Sequence, residues 1–155
     1  MERESVCRTF WRTVAAICTL APRFINMPTT ELEINKTNAA FAEIANFPNI
    51  LGAVGGTLIK IKRQPIGREQ AFVSRKGYHS INVQIVCNAQ LQITNIVAKY
   101  PGSAHNSFIW RTSNLRALLS AREFNGSWLI GDSGYPLEPW LLTPITDPNT
   151  PGEIA

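Results

Sequence analysis

Cysteine is scarce in this chain of 155 residues, with three residues, Cys7, Cys18 and Cys87. An odd number without metal-type spacing excludes a fully paired disulfide framework and gives no sign of a cysteine zinc site. The simpler interpretation is a reducing compartment. We therefore expect the protein in the nucleus, the cytoplasm or both.

Long hydrophobic runs are also missing. The apolar segment of residues 10–20 is interrupted by Arg12, and it is shorter than the roughly 20 residues that cross a bilayer. Two acidic residues, Glu2 and Glu4, precede it, whereas a secretory signal begins with positive charge. We expect neither a signal peptide nor a membrane partner.

Positive charge is absent from the end of the chain. Residues 123–155 contain five acidic residues and no lysine or arginine, whereas residues 1–122 contain all 15 basic residues and six acidic ones. The two parts therefore carry formal charges of +9 and −5, which sum to +4. A basic body indicates either a polyanionic partner or an ordinary solvated surface, and charge alone does not decide between them.

What is present suits one folded domain, because 45% hydrophobic and 9% aromatic residues can build one core at this length. The helical spacing of Val6, Phe10, Val14 and Ile17 predicts an amphipathic helix over residues 5–20, ended by Pro22. A second helix is predicted over residues 30–46. It begins with a capping box, since Glu33 follows Thr30 by three residues.

Strands dominate the middle of the chain. Residues 50–61 predict a strand loosened by glycines, and the alternation of residues 80–87 is the pattern of a half-buried strand whose hairpin partner covers residues 91–97. Ser103 can cap a helix that runs to about Arg122, with apolar residues on its buried side. Those residues are Phe108, Leu115, Leu118 and Leu119.

A short strand, residues 128–131, leads to Asp132, and the proline- and threonine-rich chain beyond residue 142 predicts an irregular, partly mobile terminus. The order helix, helix, strand, hairpin, helix, strand predicts an α/β (α+β) fold. Its mixed sheet with flanking helices corresponds to part of an RNase H-like fold.

Two features of the sequence carry chemistry. Asp132 ends a buried strand at a sharp turn, which places its carboxylate at the rim of the sheet; the alternative is that it only caps the turn. Residues 60–76 form the densest positive patch, in which six basic residues accompany one acid, Glu69. The basic residues are Lys60, Lys62, Arg63, Arg68, Arg75 and Lys76.

Four motifs in order resemble the nuclease domain of PIF/Harbinger transposases and the nucleases derived from them. They are residues 47–57 (FPNILGAVGGT), 75–84 (RKGYHSINVQ), 101–107 (PGSAHNS) and 131–137 (GDSGYPL). The resemblance implies a remnant of a helix-turn-helix region in residues 1–46 and a partial DDE-type, RNase H-like nuclease domain in residues 47–155. It also places the rest of the helix-turn-helix before Met1 and the last catalytic segment, with its glutamate, beyond Ala155.

The resemblance implies Mg²⁺ or Mn²⁺ held by acidic residues, which would activate a water or a 3′ hydroxyl for displacement at phosphorus. The family's catalytic positions fall on Gly55, Asn106 and Asp132, and its metal positions include Asn106 and Asp132. Only Asp132 keeps the acid, and Leu58 replaces a histidine. His105 follows the family and could contact a phosphate, or it could bond the backbone at a helix start.

These departures predict weak or absent metal binding and a nuclease-derived chain that is inactive by itself. An intact metal-dependent nuclease is the second hypothesis. The third is a DNA- or protein-binding adaptor module that uses the positive patch of residues 60–76, with His105. Any DNA binding through such contacts should be independent of sequence, because phosphate contacts carry little sequence information.

Overall fold

The computed structural model describes residues 3–63, 67, 69–121 and 123–145. The helices and strands, in chain order, are α1 (Arg3–Phe24), α2 (Glu31–Ala45), β1 (Ile50–Lys60), α3 (Glu69–Phe72), β2 (Ser80–Cys87), β3 (Ile93–Pro101), α4 (Asn106–Arg111), α5 (Asn114–Ser120), β4 (Trp128–Gly131) and β5 (Leu141–Leu142). The predicted strands are all present, whereas the short α3 and β5 were not predicted. Most of the predicted irregular terminus lies outside the described residues.

One mixed sheet organises the molecule, with strand order β3-β2-β1-β4-β5. The β1–β2 and β2–β3 pairs are antiparallel, whereas β1–β4 and β4–β5 are parallel. Parallel neighbours require a crossover, and α4 and α5 lie in the connection from β3 to β4. The predicted fold class is confirmed: the chain forms a mixed sheet with flanking helices, consistent with a partial RNase H-like fold.

The capping box of α2 is confirmed. The Thr30 hydroxyl accepts a hydrogen bond from the Glu33 backbone N–H at 3.2 Å, and the Glu33 carboxylate accepts from the backbone N–H groups of Thr29 and Thr30 at 2.9 and 3.1 Å. The backbone bonds to Thr29 and then Thr30 lower the pKa of Glu33. Asn46 closes the helix in the left-handed conformation, with φ of 51°.

Two helix predictions were wrong in extent. Helix α1 continues through Pro22 to Phe24, because proline in the last turn removes a single intrahelical hydrogen bond. The helix predicted from Ser103 is two helices, divided at Thr112 and Ser113. The Ser113 hydroxyl accepts from the Arg116 backbone N–H at 3.2 Å and so begins α5; the predicted end at Arg122 lies outside the described residues.

The core lies between the sheet and α2, α4 and α5. Its buried members are Ile34, Leu51, Val54, Val86, Trp110, Leu115, Leu119, Phe124, Leu129, Tyr135 and Leu141. Leu115 and Leu119 are buried as predicted, and Leu118 packs against this cluster. Phe108 was expected on the buried side but is 45% exposed, because α4 is short and turns this side chain toward Tyr100 at the edge strand β3.

Strand β2 buries its polar row. Ser80, Asn82 and Gln84 are 0%, 5% and 1% exposed, whereas on the opposite face Val83 is buried and Ile81 and Ile85 are only partly covered. The cause is tertiary, because α4 and the segment before it cover the polar face; for example, Asn82 donates to the Ala104 carbonyl at 2.8 Å. Alternation therefore located the strand but did not identify its covered face.

The apolar face of α1 is exposed. Val6, Phe10, Ile17 and Phe24 are 56%, 58%, 62% and 77% exposed. None of the helices in the described part of the chain is long and apolar enough to cross a membrane.

Candidate functional site

The register of the sheet brings Asp132 beside Gly55. Strand β4 runs parallel to β1 with Val54 paired to Gly131, and Asp132 is the next residue after this pair. A carboxylate at this position lies at the rim where β4 ends, in the type of location where open α/β sheets collect functional groups.

A cleft of about 370 Å³ lies at the same rim. Asp132 and Asn106 both line it, together with His105 and Arg75. Three separate segments therefore deliver side chains to one cleft: the turn after β4, the start of α4, and the turn before β2. The catalytic, metal-binding and phosphate-binding roles of these residues stay predictions.

Gly55 and Gly56 stand in different surroundings. A Cβ atom at Gly55 would have no neighbour within 4 Å. One at Gly56 would overlap the Asn106 side chain, with Asn106 Cγ only 2.9 Å away. Because successive strand residues face opposite sides of the sheet, Gly56 lines the cleft while a side chain at Gly55 would point away from Gly56 into open space.

Asn106 is held by Asn82, a residue that sequence reasoning missed. The Asn82 side-chain NH₂ donates to Asn106 Oδ1 at 3.1 Å and to the carbonyl oxygen of Ala104 at 2.8 Å. The only signal in the sequence was an asparagine in an alternating strand, which is equally typical of a solvent-facing position. Its burial depends on α4 and the segment before it, which cover this face of β2.

Asp132 also caps its own turn. Its Oδ1 accepts a hydrogen bond from the Gly134 backbone N–H at 2.8 Å, and the side chain remains exposed. This is the Asx-turn arrangement that the residue type favours. The structural interpretation of Asp132 and its place in the cleft are therefore compatible.

The described residues do not fit a divalent metal. No group of three histidine, cysteine, aspartate or glutamate side chains in the described part of the chain could hold an ion. Of the two carried-over metal positions, Asp132 has one oxygen engaged by Gly134, and the Asn106 oxygen is engaged by Asn82. Mg²⁺ prefers near-octahedral charged oxygen ligands, and this donor set offers a single carboxylate.

The positive patch surrounds the end of β1. The Lys60 ammonium lies 4.7 Å from the centre of the Tyr78 ring, which sets the turn of residues 74–78 beside this strand end. We call the exposed cations here the basic surface, and they are Lys60, Lys62, Arg63, Arg75 and Lys76. Arg68, also predicted to bind nucleic acid, lies outside the described residues.

Arg63 of the basic surface is paired with an acidic residue. The Arg63 guanidinium lies 2.6 Å from the Glu69 carboxylate. This hydrogen bond raises the pKa of Arg63 and is the chief cause that lowers the pKa of Glu69. Glu69 thus neutralises part of the charge, and Arg75 connects the basic surface to the cleft because it lines both.

Comparison with known proteins identifies the family. The model of the DDE superfamily endonuclease matches residues 54–153, which is more than half of the chain. The chain belongs to the DDE endonuclease superfamily. The resemblance to the Harbinger-derived nucleases is confirmed as well, by the relatives described next. Endonucleases of this superfamily generally use divalent metals, which makes the poor donor set of this cleft informative.

Proteins similar to this chain come from animals and plants. It is 31% identical to the "Putative nuclease HARBI1" of Rattus norvegicus and of Homo sapiens, over 153 residues that cover 99% of this chain and 44% of each relative. It is 24% identical to "Protein ALP1-like" of Arabidopsis thaliana, covering 93% of this chain and 38% of that protein. The chain thus spans less than half the length of these relatives. No solved structure matches it.

Proposed function

We propose that this member of the DDE endonuclease superfamily binds DNA without sequence preference and does not cleave it. The observation that carries the proposal is the chemistry of the cleft: among its described lining residues only Asp132 supplies a carboxylate, and the positions where the family resemblance implies further acids are Gly55 and Asn106. The basic surface beside the cleft supports a polyanionic substrate. A nuclear or cytoplasmic location belongs to the same proposal.

Salt dependence tests the DNA-binding part. The logarithm of the DNA affinity should fall linearly with the logarithm of salt concentration, with a slope near −0.9 for each phosphate contact. Replacing Lys60, Lys62 and Lys76 by alanine should therefore reduce the slope by about 2 to 3 units. Fluorescence anisotropy with a short duplex of arbitrary sequence measures this slope.

A matched control separates position from net charge. The substitutions Arg8→Ala, Arg12→Ala and Arg23→Ala on α1 remove the same charge from another part of the molecule. They should leave the slope close to that of the unmodified chain. Equal loss in both triple variants would contradict the assignment of DNA binding to the basic surface.

Nicking of supercoiled plasmid tests the second part. We expect background cleavage with Mg²⁺ and with Mn²⁺, since one carboxylate cannot hold two metal ions in place. Robust nicking that disappears in the Asp132→Ala variant would overturn the proposal, because it would show that other residues complete a working metal site.

A protein-binding adaptor is the second candidate, and the observation that favours it is the exposed apolar face of α1, described above. Large apolar patches on soluble proteins mark interaction sites. If DNA binding is absent at low salt while substitutions on this face abolish capture of a protein partner, this candidate replaces the first.

A further inference from the structure

The hydrogen bonds around Asn106 decide which of its two amide atoms is available to the cleft. The Ala104 carbonyl oxygen can only accept, so the Asn82 atom 2.8 Å away must be its NH₂ group. The second hydrogen of that NH₂ group points to Asn106, 3.1 Å away, and the atom receiving it must be the Asn106 oxygen. The Ala104 carbonyl thus fixes the orientation of the Asn82 amide, and the Asn82 amide fixes that of Asn106. Asn106 Nδ2 is left available to the cleft.

Two glycines leave room for this arrangement. A Cβ atom at Gly56 would overlap Asn106, and one at Gly134 would lie 3.4 Å from Asn106 Nδ2 and 2.9 Å from Asp132 Oδ1. Asn106 therefore lies between two segments of backbone that carry no side chain. It shares the cleft with Asp132, which supplies the single carboxylate among the described lining residues.

The chemistry of this cleft is opposite to that of a cation site. A metal ion needs lone pairs, and the Asn106 NH₂ group has none to offer. It is a donor, and the same cleft is lined by Arg75 and His105, both exposed residues. Hydrogen-bond donors and a guanidinium are the groups that bind phosphate oxygens.

We propose that the cleft binds a phosphate group of a nucleic-acid backbone through the Asn106 NH₂ group, in the place where a cation ligand is expected, with Asn82 as the residue that positions this amide. The inference rests on the proposed DNA binding and deepens it by naming the atom that meets the phosphate. Asp132 opposes the anion in this arrangement. In a metal site the Asp132 carboxylate would instead favour the bound ion, so substitution of Asp132 distinguishes the two kinds of site.

The test compares two near-isosteric variants in EDTA and in Mg²⁺, using fluorescence anisotropy with the short duplex. Asn106→Asp replaces the donor by an acceptor and should weaken metal-free DNA binding about tenfold. Asp132→Asn removes the opposing charge and should strengthen it severalfold. A parallel titration with inorganic phosphate shows whether the cleft takes a free phosphate or needs the DNA backbone.

The outcomes separate this inference from the proposed function. If the duplex binds with a steep salt slope but neither variant changes metal-free affinity, the cleft inference fails and the basic surface alone accounts for binding. If Mg²⁺ is required and Asp132→Asn abolishes binding, the cleft is a cation site and the inference is overturned. Absence of any DNA binding at low salt contradicts the proposed function itself.

The role of Asn82 in positioning the Asn106 amide is tested by a measurement that a purely structural role would not affect. The side-chain NH₂ signals of Asn106 in a ¹⁵N–¹H spectrum should shift when DNA is added to the unmodified chain. In Asn82→Ala they should no longer shift, although thermal unfolding remains cooperative. A shift that persists in this variant overturns the positioning role; if the variant does not fold, the Asn106→Asp and Asp132→Asn results still decide the proposal.

Discussion

At the scale of single residues, we expect Gly55 and Asn106 to decide whether a metal can bind near Asp132. A side chain at Gly55 meets open space, so Gly55→Asp should fold without a clash and add a carboxylate on β1, one residue beyond the Val54–Gly131 pair that precedes Asp132. Combined with Asn106→Asp it gives three carboxylates, enough to attract a hard cation. We expect Mn²⁺ binding by calorimetry in this double variant and little in the unmodified chain, with plasmid nicking at background in both.

The single variant Gly55→Asn is the control. Its asparagine at position 55, together with the native Asn106, has nearly the shape of the two aspartates without their charge. It should bind Mn²⁺ no better than the unmodified chain. Equal Mn²⁺ affinity in the neutral and acidic variants would contradict the charge argument.

At the scale of elements, α2 depends on its capping box. Thr30→Ala removes the acceptor for the Glu33 backbone N–H and should lower the free energy of unfolding by about 1 kcal/mol. Thr37→Ala is the matched control in the same helix, because its hydroxyl bonds only the Glu33 carbonyl one turn back and alanine is the better helix former. Urea unfolding should show a loss for Thr30→Ala and no loss for Thr37→Ala; equal losses would mean that the cap contributes nothing specific.

At the scale of the whole molecule, Glu138 connects the two helices after β3 to the last strands. Its carboxylate accepts hydrogen bonds from Trp110 at 2.9 Å and Trp140 at 2.7 Å, and it forms an ion pair with Arg116 at 2.9 Å. Burial raises the pKa of Glu138, but the bonds from Arg116, Trp110 and Trp140 together outweigh burial, and the net pKa is lowered.

Because the pKa of Glu138 is lower in the folded state, its charged form stabilises the fold at pH values above the unfolded-state pKa, which is about 4.3. This stability is lost as the pH falls through the folded-state pKa. Glu138→Gln should therefore cost about 2 kcal/mol at neutral pH and flatten the acid dependence of unfolding below about pH 5. Glu123→Gln, which replaces an exposed acid, should change neither the stability at neutral pH nor the acid dependence of unfolding. An unchanged acid profile in Glu138→Gln would show that the ion pair does not contribute to stability.

Local chemistry of the sequence was sufficient for the start of α2, the longer strands and the family, but not for the short α3 and β5 or for the division between α4 and α5. The capping box needs residues only three positions apart, a strand needs alternation over a few residues, and the four motifs each lie within eleven residues. These features predicted the mixed sheet, and they also predicted that Gly55 and Asn106 replace acids of the family.

Only the tertiary structure decided which polar side chains of β2 are buried and which way the Asn106 amide points. Asn82 and Asn106 are 24 residues apart, and the burial of Ser80, Asn82 and Gln84 depends on a helix that follows the next strand. The direction of the Asn106 amide is decided by a backbone carbonyl, so no side-chain pattern records it. Hydrogen-bond donors and acceptors are assigned by contact in space, and for this cleft those contacts form only after β2 is covered.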